Sequence, residues 1–325
     1  PSFQTTSDIS TAAPHVPRLL RFLPLITVAV SVLAFTVGRY DETLRLTIDP
    51  EYFVFRYPRV LLAAATGTML ALTGVILQRL TQNPMAGPEL LGISSGTAFG
   101  AMSVVMLFGI TSGSGWFWLT GIVSALVSLG LLMLFNRKNG FTPEKILLTG
   151  MALAALADAA IRIWMATGDF RVQLLLLWMS GSTYQATPES ALTVCLLAAA
   201  SLLLILTLQR WLGLLSLNAT IARSVGINVP LARLVLIVSS AALTALSTLL
   251  IGPLSFVGLL APHLARMLGA RLPKQQLAAA ALIGASVMMT ADWLGRQVMF
   301  PYEVPAGMMA TLIGGAYFMM MMRKL

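Results

Sequence analysis

Hydrophobic residues in this chain come in blocks of roughly 20, broken by short polar stretches, without the strict alternation of half-buried strands. The blocks predict spans near 20–38, 59–78, 91–109, 116–135, 144–167, 190–209, 231–250, 255–270, 277–298 and 305–322. At about 1.5 Å per residue, about 20 residues cross a hydrocarbon core of about 30 Å. In lipid a backbone finds no water to bond, so the spans are read as helices. Segment 255–270 is short, and segment 172–184 is too short to cross and reads as an interfacial or re-entrant helix. The predicted fold class is an all-α membrane protein with about ten transmembrane helices.

Composition agrees: 57% of the 325 residues are hydrophobic, 10% are charged, and mean hydropathy is +0.84. A soluble domain of this length needs more charge to cover its surface. The net charge of +9 does not point to nucleic acid, because the basic residues stand singly between apolar runs. They sort by side instead. Fourteen, including Arg21, Arg79, Arg137, Lys145, Arg210, Arg223, Arg266 and Lys274, fall on one side, against six on the other: Arg39, Arg45, Arg56, Arg59, Arg171 and Arg296. The positive-inside rule makes the first side, with both termini, cytoplasmic. Several tryptophans, such as Trp116 and Trp211, fall near span ends as an interfacial belt requires.

Small residues recur at helical spacing in Ala63-Gly67-Ala71, Gly96-Gly100 and Thr311-Gly315, which predicts close helix approach. Residues 1–17 read as a polar linker or lead before a ten-span domain at 18–325, and the non-Met start suggests part of a longer polypeptide. The chain has no phosphate-binding loop, no paired-cysteine metal site and no H-E-x-x-H, so it is not expected to be an enzyme. Within the fifth span, Asp158 and Arg162 stand four apart. That spacing predicts either a structural ion pair or groups lining a polar path, because charges at this depth are costly.

Four polar interruptions carry more information than the spans. They are Arg56-Tyr57-Pro58-Arg59; Asn83-Pro84-Met85-Ala86-Gly87-Pro88-Glu89-Leu90-Leu91-Gly92; Ala222-Arg223-Ser224-Val225-Gly226; and Phe256-Val257-Gly258-Leu259-Leu260-Ala261-Pro262-His263. In this order and spacing, with Ala291-Asp292 before Arg296 and Val304-Pro305-Ala306-Gly307, they resemble the ten-span permease family of ABC importers for ferric siderophores, haem and vitamin B12. The resemblance runs from about residue 20 to the C-terminus.

That resemblance implies a type II importer architecture with the following parts. A periplasmic siderophore-binding protein would dock on Arg56, Arg59 and Arg296. A cytoplasmic ABC ATPase dimer would be coupled through a loop at about 210–230, with Thr220, Arg223 and Gly226 as the coupling residues. Asn83, Met85 and Thr142 would form the cytoplasmic gate, and a homologous ten-span half would complete the pathway. No cofactor is bound directly; ATP and Mg act through the partner ATPase. The expected cargo is an iron(III) siderophore of hydroxamate type, with cobalamin or haem as alternatives. From a different class, an ion-coupled secondary transporter expects mid-membrane acidic sites, for which only Asp158 and Asp292 qualify. The expected location is the bacterial inner membrane.

Overall fold

A computed structural model describes residues 18–40, 43–46, 50–110, 114–137, 141–217 and 219–323. The expected linker, 1–17, lies outside the described residues. Among the described residues, twelve α-helices follow in order: α1 Leu23–Thr36, α2 Pro50–Thr81, α3 Ile93–Phe108, α4 Gly115–Asn136, α5 Pro143–Ala166, α6 Phe170–Met179, α7 Pro188–Leu217, α8 Ala219–Ser224, α9 Val229–Ile251, α10 Val257–Met267, α11 Pro273–Val298 and α12 Ala306–Met322. Each of the ten expected spans coincides with a helix. Among the described residues, seven helices are long and apolar enough to cross a membrane unaided; α3, α10 and α12 are shorter. Helix α6, of 10 residues, occupies the segment expected not to cross.

Helix α2 is the axis of the bundle and packs against α7, α9, α10 and α11. Its buried residues, among them Met69, Leu72, Val75 and Ile76, form the main core with Leu236, Ile237 and Leu277. Close approach depends on glycine: a Cβ on Gly74 would lie 1.7 Å from the Gly258 carbonyl oxygen of α10. The expected Gly96-Gly100 face receives Ser124 and Ser128 of α4, and Ser124 Oγ donates to the Gly96 carbonyl at 2.6 Å. The third small-residue face meets nothing here, since no atom lies within 4 Å of a Cβ built on Gly315. By contrast with α2, helices α1, α4, α5 and α7 expose much of their apolar surface, as lipid-facing helices do.

Three local features differ from the sequence reading. Helix α2 begins at Pro50, so Pro58 lies inside it and Arg56 and Arg59 ride on the helix. Pro58 deletes one backbone donor, but the flanking apolar turns continue. Helix α7 continues to Leu217, which makes the first part of the expected 210–230 loop helical. A two-stranded hairpin, β1 Val37–Tyr40 with β2 Thr43–Leu46, follows α1, and Trp293 Nε1 donates to the Val37 carbonyl at 3.0 Å.

Candidate docking, coupling and gating sites

The three arginines singled out in the sequence meet at one end of the bundle. Arg56, Arg59 and Arg296 line a single pocket of about 290 Å³ with Gly38, Phe55, Gln297, Phe300, Pro301 and Glu303. Arg56 donates to the Phe35 carbonyl at 3.1 Å. Arg59 donates through one nitrogen, Nη1, to both carboxylate oxygens of Glu303 at 2.8 Å, and its guanidinium lies 5.1 Å from the Tyr184 ring centroid. Its side chain is only 14% exposed, whereas that of Glu303 is 42% exposed. Arg296 is more enclosed than Arg59, at 10%, and pairs with Asp292 one turn earlier at 3.0 Å. It also donates to the Ala34 carbonyl at 3.2 Å, and Asp292 accepts from the Thr183 hydroxyl. Arg296 is therefore held from several sides, tying α11 to α1 and, through Asp292, to the turn after α6.

Twenty residues along α2, the opposite end is organised by Arg79, about 30 Å from Arg59 at helical rise. Arg79 donates to Gln276 Oε1 at 2.6 Å, to Ser216 Oγ at 3.3 Å and to the Arg271 carbonyl at 2.8 Å, joining α2, α7 and α11. Ser216 leads directly into α8, the short helix that carries Thr220 and Arg223. Both side chains are exposed, with Ile221 and Val225 beside them, while Ala222 is fully buried and anchors the helix on the core. Gly226 ends α8 at φ +86°, where its N–H bonds the Arg223 carbonyl at 2.9 Å and the Ile227 N–H bonds the Ala222 carbonyl at 3.0 Å. This pair of bonds is a Schellman stop, which needs a residue comfortable in the left-handed region. Asn228 then caps α9 by accepting from the Leu231 N–H at 3.2 Å.

The turn after α2 lies at this same end. Asn83 Oδ1 accepts from the Met85 N–H at 2.9 Å, which shapes the turn, and leaves the Met85 side chain 49% exposed. Beyond the turn, a 3-10 segment, Pro88–Leu91, packs against α5 near Gly150. Thr142 lies eight residues earlier, at the start of α5; its carbonyl accepts from the Ile146 N–H at 3.1 Å, and its side chain makes no capping bond.

Asp158 and Arg162 narrow the two alternatives left by the sequence. Both side chains are exposed, and no hydrogen bond or ion pair joins them, so they are not a structural ion pair within α5. Four-residue spacing places two side chains on one face, but open surroundings leave nothing to hold their long rotamers together. His263 sits part-buried beside Tyr317 and Phe318, with ring centroids 6.0 and 6.1 Å away.

The FecCD transport family matches residues 23–324, nearly the whole chain. The chain belongs to the FecCD transport family. Among its relatives, the iron(3+)-hydroxamate import system permease protein FhuB of Salmonella typhimurium is 43% identical over 86% of this chain but only 40% of that protein. The hemin transport system permease protein HmuU of Yersinia pestis is 33% identical over 93% of this chain and 95% of that protein. A solved structure, described as an inward-facing conformation of a metal-chelate type ABC transporter, superposes with a TM-score of 0.84 at 29% identity over 95% of this chain. The FecCD fold here is thus the all-α architecture of a type II ABC importer permease, and the chain is a multi-pass membrane protein. It spans about two fifths of the length of the hydroxamate permeases it matches.

Glu303 and Tyr184, which enclose Arg59, were not singled out in the sequence. A signal for Glu303 was present: it is a lone acid beside Val304-Pro305-Ala306-Gly307, in a loop that topology assigns to the same side as Arg56 and Arg59.

Proposed function

We propose that this FecCD-family chain is one permease half of an ATP-driven importer that moves an iron(III) hydroxamate siderophore from a periplasmic binding protein into the cytoplasm. The observation that carries the reading is the separation of two built ends on one bundle. The end with Arg56, Arg59 and Arg296 is the outer one, where guanidinium groups suit the carboxylates of a binding protein. The end with α8 is the inner one, where exposed Thr220 and Arg223 on a helix stopped at Gly226 present a rigid element to an ATPase dimer. Such an element passes movement from its partner to the helices it is anchored on. ATP and Mg belong to that partner.

Asn83 and Met85, with Thr142, narrow the cytoplasmic exit in this reading. Both termini of the described segment then lie inside the cell, in agreement with the arginine and lysine bias. The open faces of α5 and α12 support a second, homologous ten-span half. Asp158 and Arg162 would be costly against lipid, and the Thr311-Gly315 face lacks the helix its small residues admit. Between the halves, these charges line a wet path suited to a polar chelate.

Hydroxamate as cargo rests on the 43% identity to the hydroxamate permeases. Competition settles it: uptake of a labelled ferric hydroxamate should be blocked by excess unlabelled hydroxamate chelate and be indifferent to catecholate chelates, haem and cobalamin. Inhibition by haem or cobalamin instead would reassign the substrate.

A further inference from the structure

Glu303 already occupies the arginine that an incoming carboxylate should find. Arg59 is nearly covered, paired with the more exposed Glu303 and with the Tyr184 ring on its flank. An incoming acid must compete with Glu303 for this guanidinium. Yet the internal contact is not the strongest available, because both Glu303 oxygens share the single Nη1 donor. A carboxylate that engages two guanidinium N–H groups in parallel makes the better-aligned pair.

We propose that Glu303 is a built-in stand-in for the binding protein's carboxylate, and that docking proceeds by exchange at Arg59: the partner's acid takes the guanidinium and Glu303 is released. This rests on the reading of the arginine pocket as the docking surface. The loop that Glu303 belongs to is held at two further points, by the Val304 N–H on the Gly295 carbonyl at 2.9 Å and the Gly307 N–H on the Gly181 carbonyl at 2.8 Å. Gly307 lies in the first turn of α12, so release of Glu303 unties α2 from the segment leading into that helix. Docking is thereby reported to a helix whose outward face is open. Arg296 plays the opposite part, since its enclosed pairing with Asp292 positions the pocket floor and is not exchanged.

The test is a double-mutant cycle on the full-length permease with its ATPase in lipid nanodiscs, measuring affinity for its periplasmic binding protein loaded with ferric hydroxamate. Arg59→Ala should weaken docking. Glu303→Ala, with Glu303→Gln as the milder companion, should tighten it by about 1.5- to fivefold, the range set by a part-exposed ion pair. The tightening should vanish in the Arg59→Ala background. Loss of affinity or no change with Glu303→Ala, while Arg59→Ala still weakens binding, would overturn exchange and leave the docking reading standing. Tightening that persists without Arg59 would also overturn it, because Glu303 would then act by general repulsion of an acidic partner. No effect from Arg59→Ala would remove the docking reading itself.

Discussion

Gly67 of α2 and Gly284 of α11 face one another across the centre of the bundle, each so close to the other's carbonyl oxygen that a Cβ would lie 2.2 or 2.3 Å from it. The atoms in the way are backbone, which cannot step aside like a side chain. Gly67→Ala and Gly284→Ala are each expected to cost about 1–3 kcal/mol, the usual penalty of overpacking. The check is the thermal unfolding midpoint in detergent. Gly315→Ala, which meets nothing within 4 Å, should leave that midpoint unchanged and show an effect only when assembly with the second half is measured.

Gly226 is a second glycine with a distinct job. At φ +86° an alanine would carry left-handed strain of about 1–2 kcal/mol, enough to fray the stop of α8 without unfolding the bundle. Gly226→Ala should therefore leave ATPase binding nearly intact but lower the stimulation of ATP hydrolysis by loaded binding protein. Arg223→Glu should weaken ATPase binding itself. Equal loss of binding in both variants would show that α8 acts only as an adhesive patch.

For the α5 charges, Asp158→Asn is the informative change. With no internal partner to lose, it should leave insertion and assembly intact, while uptake falls by about tenfold, the worth of one charge-assisted hydrogen bond to cargo or to the facing half. Normal uptake with normal assembly would remove Asp158 from the path.

Glu89, in the turn between α2 and α3, supplies a pH-dependent prediction. Burial raises its carboxyl above the ordinary range, opposed only in part by a backbone N–H, and Oε2 is buried without a partner. Below the ordinary value of about 4.3, folded and unfolded chains both hold the proton and there is no penalty. As pH rises through that value toward the raised one, the unfolded chain ionises first, so stability falls and then levels off. Glu89→Gln removes this slope: its unfolding midpoint should exceed that of the parent at pH 8 and match it near pH 4. A parallel pair of pH profiles would contradict the assignment.

How much of this was legible beforehand depends on the range of the interaction concerned. The spans were readable because lipid imposes one solution on a long apolar run. Residues that act across the fold were not. Glu303 meets Arg59 across 244 positions, and Thr183 meets Asp292 across 109, distances over which charge or hydroxyl type suggests a partner without naming it. Pro58 misled because proline usually marks a helix start, yet here one lost donor is outweighed by continuing turns on either side. The Asp158–Arg162 spacing placed both groups on one face but left pairing and path lining open, since pairing depends on what surrounds the face.

If ATP hydrolysis by a partner, triggered by a binding protein docked at Arg59, drives a ferric chelate through this FecCD-family bundle, transport itself must depend on both partners. The most direct measurement is uptake of labelled ferric hydroxamate into inside-filled proteoliposomes carrying the full-length permease and its ATPase. Transport should require internal ATP and external loaded binding protein, be abolished by vanadate, and persist when the proton gradient is collapsed. Uptake that continues without the ATPase and disappears with the proton gradient would contradict it.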